Sequence, residues 1–204
     1  MESFYRTHSY LLEHLGNPVR RELMREIDWS HRLIGIKGSR GVGKTTFLLQ
    51  YARENFKTDD RTCLYINLNN LYFTDHSLVD FASGFYKQGG RVLLIDQVFK
   101  YPGWSEALRA CYDGLPELQI IFTGSTVMRL KEENPLLDGL VASYNLRGFS
   151  FREYLNIKTG LSFRPYTFEE IMENHATIAR AISGRVNPLD YFDGYLHHGY
   201  YPFF

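Results

Sequence analysis

The 204-residue chain is poor in sulfur and has no excess charge of either sign. Its two cysteines, Cys63 and Cys111, form no C-x-x-C pair and lie in apolar surroundings. Two buried free thiols are therefore expected rather than a disulfide or metal framework, in keeping with a cytoplasmic setting. Lys and Arg number 23, as do Asp and Glu, so the formal net charge is zero. That balance excludes a global basic field and leaves nucleic acid without support as a partner. No apolar run approaches the roughly 20 residues that span a bilayer. Arg6, His8, Glu13 and His14 interrupt the first fifteen residues, so neither a signal peptide nor a membrane segment is expected. Repeats and low-complexity tracts are absent. The histidines do not cluster with Cys or Asp at metal-ligand spacing, and the adjacent His197-His198 reads as surface. No Gly-x-Ser-x-Gly occurs, which excludes a hydrolase nucleophile elbow. No Asn-Lys-x-Asp follows Asp96, which argues against guanine specificity. Arg20-Arg21 with Arg25 reads as a charged helix face.

What is abundant is aromatic: 15 Tyr and 15 Phe, enough to fill a sizeable core. Strand-like runs alternate with helix-like ones. Short helices are expected over 3–15 and 18–27, broken at Gly16-Asn17-Pro18. Strands are expected at Leu33 to Lys37, Cys63 to Leu68, Val92 to Asp96, Leu118 to Thr123 and Ser143 to Leu146. Helices between them cover 44–56, 76–88 with Asp75 as cap, and 105–113. The alternation predicts an α/β fold, a three-layer αβα sandwich around a parallel sheet of about five strands. After Gly148 helices take over. Ser150 with Glu153 and Thr167 with Glu170 form capping boxes that open helices over 151–159 and 168–183, and Asn187-Pro188 opens a last one. The expected organisation is N-terminal helices over 1–30, a core over 31–148 and a helical lid over 149–204. The aromatic stretch Tyr200-Tyr201-Pro202-Phe203-Phe204 points to truncation before a C-terminal domain, or to an interface with a missing partner.

Gly38-Ser39-Arg40-Gly41-Val42-Gly43-Lys44-Thr45 matches G-x-x-x-x-G-K-[ST], between an expected strand and an expected helix. Glycines permit positive φ and close backbone approach, so that successive N–H groups cradle phosphate oxygens. Lys44 is placed to reach the β and γ phosphates and the Thr45 hydroxyl to ligate Mg²⁺. The helix starting at Lys44 and Thr46 presents its positive end. The ligand expected is a nucleoside triphosphate with Mg²⁺, ATP in preference. Asp96, at the carboxyl end of a continuous apolar strand, is the second candidate for Mg²⁺.

One strand lies between the phosphate-loop strand and the Asp96 strand, and another follows. That order suits the ATPase branch of the phosphate-loop folds, in which the later strand inserts between the other two. The loop Thr123-Gly124-Ser125-Thr126 then offers Ser125 or Thr123 to the γ-phosphate. ATPases of this branch place a glutamate after the aspartate, and here it is Gln97. A glutamine orients water but accepts no proton, and loss of a general base costs about 10²–10⁴ in rate.

Five segments together resemble a bacterial and archaeal family of AAA-type ATPases. They are Arg32 to Leu49, Asn70-Leu71-Tyr72-Phe73-Thr74-Asp75-His76-Ser77-Leu78, Lys100-Tyr101-Pro102-Gly103-Trp104, Phe122-Thr123-Gly124-Ser125 and Phe149-Ser150-Phe151-Arg152-Glu153-Tyr154-Leu155. The resemblance spans nearly the whole chain. It implies a C-terminal half with a nuclease-like domain, absent here, and makes Arg152 a candidate γ-phosphate or interdomain arginine. The family has Asp-Glu-Val-His where this chain has Asp96-Gln97-Val98-Phe99. It has acidic residues where this chain has Asn69 and Asn70, and an arginine pair where this chain reads Asp138-Gly139-Leu140. An arginine finger is worth about 10³–10⁵ in rate. The expectation is thus an ATP-binding switch or slow, hydrolysis-impaired ATPase. The alternatives are a small-molecule kinase of the phosphate-loop class and an interaction module without turnover.

Overall fold

The computed structural model describes residues 1–57, 60–125 and 135–201. Thr126 and the aromatic end Pro202, Phe203 and Phe204 lie outside them. The chain forms two compact units, Met1–Arg147 and Gly148–Phe204. No helix among the described residues is long and apolar enough to cross a membrane.

The first unit is built on five parallel strands: β1 (Leu33–Gly38), β2 (Cys63–Asn67), β3 (Val92–Asp96), β4 (Gln119–Ser125) and β5 (Ala142–Asn145). Their order is β2-β3-β4-β1-β5, so β4 does insert between the strands of the phosphate loop and of Asp96. The central strands are buried along their length, all five residues in the case of β3. Side chains alternate between faces. Leu33, Leu64, Leu93, Ile120 and Phe122 join one core with helices α5 (Leu78–Lys87) and α6 (Trp104–Gly114). The alternate residues, such as Ile34, Tyr65, Leu94 and Thr123, face the other side, which α3 (Lys44–Asn55) covers with buried Phe47, Leu48, Tyr51 and Ala52. The result is a three-layer α/β sandwich.

An edge strand leaves backbone groups without partners. Helix α1 (Glu2–Glu13) covers the open edge of β2, burying Phe4, Tyr5, His8 and Leu12 in one stripe. His8 Nδ1 accepts the Tyr65 N–H at 2.9 Å, satisfying an edge donor with a side chain 57 positions away. Phe4 packs edge-on against Tyr72 and Phe81, which ties α1 to the helical layer.

Three local expectations are corrected. The helix expected over 18–27 shrinks to α2 (Leu23–Glu26), because Arg21 turns inward instead of lying on a solvated face. Its Nη1 donates to Val42 O at 3.0 Å and its Nη2 to Arg147 O at 2.7 Å. Asp75 does not cap α5. It ends a separate turn, α4 (Tyr72–Asp75), which Asn70 opens by accepting the Tyr72 N–H at 2.9 Å, and Ser77 caps α5 by accepting from Asp80 N. The fourth strand runs to Ser125, not Thr123, because Ser125 still pairs in register with Gly38 of β1.

In the second unit both capping boxes are formed, on α7 (Phe151–Thr159) and α8 (Phe168–Ser183). The last helix, α9 (Leu189–Gly194), continues as a π-helical turn over Tyr195–Gly199. Phe151, Phe192 and Tyr195 form its aromatic nucleus, with ring centroids 5.2 and 5.3 Å from Phe151. Helix α8 buries no residue and kinks at Asn174, a residue type whose side chain competes for backbone hydrogen bonds.

Burial keeps His8 neutral, lowering its pKa from 6.5 to about 4. The unfolded chain takes up this proton below pH 6.5 and the folded chain only near pH 4. The His8 contribution is therefore complete above pH 6.5 and is lost as the pH falls toward 4, by up to about 3 kcal/mol. His8→Asn retains an acceptor for Tyr65 N–H and removes the titration. Melting curves across this range should show a steeper acid loss in the wild type than in the variant; parallel curves would contradict the assignment.

Candidate functional site

The phosphate loop leaves β1 at Gly38 and enters α3 at Lys44. Gly41 and Gly43 take φ of 86° and 91°, the left-handed region where a Cβ is strained. Gly38 is required for a different reason: a Cβ there would strike the backbone carbonyl of Leu146. That carbonyl is fixed because Leu146 N donates to Lys37 O at 2.8 Å, extending the β1–β5 seam behind the loop. Val42 is buried, and Arg21 grips its carbonyl. The loop is thus pinned from the core side, while Ser39 and Arg40 remain on the solvent side.

Lys44 Nζ donates to Gly38 O at 2.7 Å and Ser39 O at 2.8 Å, closing the loop on its own first carbonyls. Burial pulls the Lys44 ammonium below its ordinary pKa, and the nearby Asp96 charge partly offsets this. Thr46 follows in the first turn of α3, with Phe47 buried beneath it.

Asp96 is 1% exposed, yet its carboxylate is met from four directions. Thr45 Oγ1, from the first turn of α3, donates to Oδ2 at 2.7 Å. Tyr65 OH, from β2, donates to the same oxygen at 2.9 Å. Oδ1 accepts the hydroxyl of Thr123, from β4, and the Gln97 N–H at 3.1 Å. Topology makes this convergence possible. Strands β2 and β4 flank β3, and the register that pairs Ile95 with Phe122 brings Asp96 beside Thr123.

Gln97 is the one described non-glycine residue with positive φ, at φ 56° and ψ 48°. This conformation costs an L-residue about 1–2 kcal/mol. The Gln97 N–H holds it there by donating both to Asp96 Oδ1 and to Thr123 Oγ1, the latter at 2.9 Å.

The structure therefore brings together the loop from Gly38 to Thr46, Asp96, Gln97 and Thr123, with Ser125 beside Gly38 across the sheet. Thr123 and Ser125 lie within β4 rather than in the loop after it, and Thr123 is buried beneath the carboxylate. Arg152 belongs to the second unit, on α7, where its Nη1 donates to Phe163 O at 3.2 Å. Asn69 and Asn70 serve the turn after β2, where Asn69 N donates to Asn67 Oδ1 and Asn70 opens α4. Sequence reasoning missed Tyr65 and Arg21. For Tyr65 a faint signal existed, a polar tip at every second position before Asn67 on a strand beside that of Asp96.

A sequence profile described as an AAA domain matches residues 30–155. Among solved structures, that of C. elegans PCH-2 is similar at 16% identity with a TM-score of 0.42. The match covers 86% of this chain and 46% of that one, so the chain spans less than half the length of that structure. No curated protein matches the chain.

Removing the Thr123 hydroxyl leaves a buried carboxylate one donor short. Thr123→Val should destabilise the protein by about 2 kcal/mol, a fall of several degrees in melting temperature, whereas Thr123→Ser should retain most of the stability. Equal melting of the valine variant and the wild type would contradict this account of the Asp96 network.

Proposed function

The chain belongs to the AAA domain family, and from that premise we propose that it binds ATP with Mg²⁺ at the loop from Gly38 to Thr46 and acts as a slow, hydrolysis-impaired ATPase switch. The observation that carries this reading is the 2.7 Å bond between Thr45 and Asp96, a hydroxyl on the exposed first turn of α3 set against a buried carboxylate.

The residues present fit the ligand. Thr45 and Asp96 are hard oxygen donors of the kind Mg²⁺ takes, commonly with several of its own waters retained. Left-handed Gly41 and Gly43 keep the loop clear of side chains where phosphate oxygens must approach. In this reading Thr45 ligates the metal, and Asp96 holds it through water. Lys44 exchanges the Gly38 and Ser39 carbonyls for the β and γ phosphates. Bound Mg²⁺ would neutralise charge on the phosphates.

Gln97, whose N–H donates to the Asp96 oxygen that also accepts from Thr123, is the residue we assign to orienting an attacking water. Its amide takes no proton, which makes turnover slow. Ser125 and Thr123 are the candidate polar groups on the γ-phosphate side, with Thr123 acting through Asp96. Arg152, on α7 of the second unit, is the candidate γ-phosphate or interdomain arginine that the family resemblance implies. A further domain or a protein partner would read the switch there, and α8, whose Phe168 and Met172 are 73% and 64% exposed, offers surface for it. The two buried free thiols agree with a cytoplasmic setting.

Calorimetric titration with ATP and Mg²⁺ tests binding. Lys44→Ala should weaken affinity by about 30-fold or more, since charge-assisted bonds to phosphate are lost; unchanged affinity would overturn the reading. Gln97→Glu tests the impairment. A carboxylate at that position should raise ATP turnover by about 10²–10⁴, and a rate equal to the wild type would show that Gln97 is not what limits hydrolysis.

A further inference from the structure

A carboxylate offers about four acceptor sites. At Asp96 four protein donors fill them: the hydroxyls of Thr45, Tyr65 and Thr123 and the Gln97 N–H. Asp96 is also sealed from solvent. In this arrangement the carboxylate has no acceptor site left for a water of a metal ion's shell. One donor must yield before Asp96 can serve such an ion.

The four donors are not equally able to leave. The Gln97 N–H is backbone, fixed by the residue's left-handed conformation and shared with Thr123 Oγ1. Thr123 is completely buried and donates from directly beneath Oδ1. Thr45 can keep its hydrogen on Asp96 while its oxygen lone pairs face a metal, because a hydroxyl both donates and accepts. Tyr65 is the remaining donor. Its hydroxyl sits at the end of a side chain and has no second tie to the Asp96 network among the described residues, unlike Thr123, which also accepts the Gln97 N–H. The strand itself does not move to allow this, since His8 anchors the Tyr65 N–H from α1 at 2.9 Å.

We propose that Tyr65 is a positioning residue that latches the Asp96 carboxylate, and that Mg²⁺ with nucleotide engages Asp96 only as the Tyr65 hydroxyl leaves Oδ2. The proposal rests on the reading of the loop as an ATP and Mg²⁺ site and adds a competitor for its carboxylate. The latch holds Asp96 in one rotamer while metal is absent, and it makes Mg²⁺ displace a hydrogen bond on arrival. The Mg²⁺-dependent part of ATP affinity is therefore weaker than the loop and its two oxygen ligands would otherwise give.

The test compares wild type and Tyr65→Phe by calorimetric titration with ATP, once with Mg²⁺ and once with EDTA. The ratio of the two affinities is the readout. It should rise about tenfold in the variant, the loss of one charge-assisted hydrogen bond that the metal must displace. The EDTA affinity should stay within about twofold. Because the ratio is taken within one preparation, a change in the fraction of folded protein cancels. A purely structural role for Tyr65 would lower the melting temperature and leave the ratio unchanged, which would overturn the latch while leaving the ATP site intact. A lower ratio would also overturn it, by showing that the hydroxyl assists the metal. Failure of the wild type to bind ATP in either buffer would instead overturn the proposed function, and the latch with it.

Discussion

Keeping the Asp96 carboxylate inside the sheet is the constraint on which the rest of this structure turns. A buried charge costs several kcal/mol unless it is fully hydrogen-bonded, and no single element of this chain supplies enough donors. The solution draws on β2, β4, the first turn of α3 and the backbone of the next residue. Each donor fixes something larger. Tyr65 and Thr123 require β2 and β4 to flank β3, as the strand order provides. Thr45 requires α3 to begin directly over the end of β3, which sets where the phosphate loop must deliver the chain. The Gln97 N–H requires a left-handed residue at the strand end. Strand order, loop placement and local strain thus meet at one side chain.

In the proposed function the same network separates binding from hydrolysis. The groups proposed to hold phosphate and metal lie on the pinned part of the loop, backed by Arg21 on the Val42 carbonyl and by the β1–β5 seam behind Gly38. The group that would activate water comes one residue after Asp96, in a position set by the network but with a side chain that cannot accept a proton. In the proposed function a substitution there would change the chemistry and leave the scaffold, which uses its backbone N–H and carbonyl, in place. A binding site can therefore stay intact while the turnover step is altered.

Much of this was legible in the sequence wherever the controlling interaction is local. The phosphate loop is a contiguous string with a strand before it and a helix after it. The apolar run ending at Asp96 declared a strand buried on both faces, and the two capping boxes of the second unit need only residues three apart. What was illegible depends on partners far along the chain. Arg21 read as a solvated helix face because its acceptors, Val42 and Arg147, are 21 and 126 positions away. Tyr65 read as one more aromatic in a strand because Asp96 is 31 positions away. Asp75 is a good cap by residue type, but Asn70 opens a turn just ahead of it and Ser77 captures the next helix. Gln97 was visible as a departure from the family pattern, while its left-handed backbone was not, since that conformation is imposed by Thr123 across the sheet.

The central claim is that the chain holds ATP at this site and scarcely turns it over. The most direct measurement incubates the purified chain with radiolabelled ATP and Mg²⁺ for about an hour, separates free nucleotide, and identifies what remains on the protein. Intact ATP, retained by the wild type, is the result this account predicts. ADP on the protein would contradict it, because another group would then be activating water in place of Gln97.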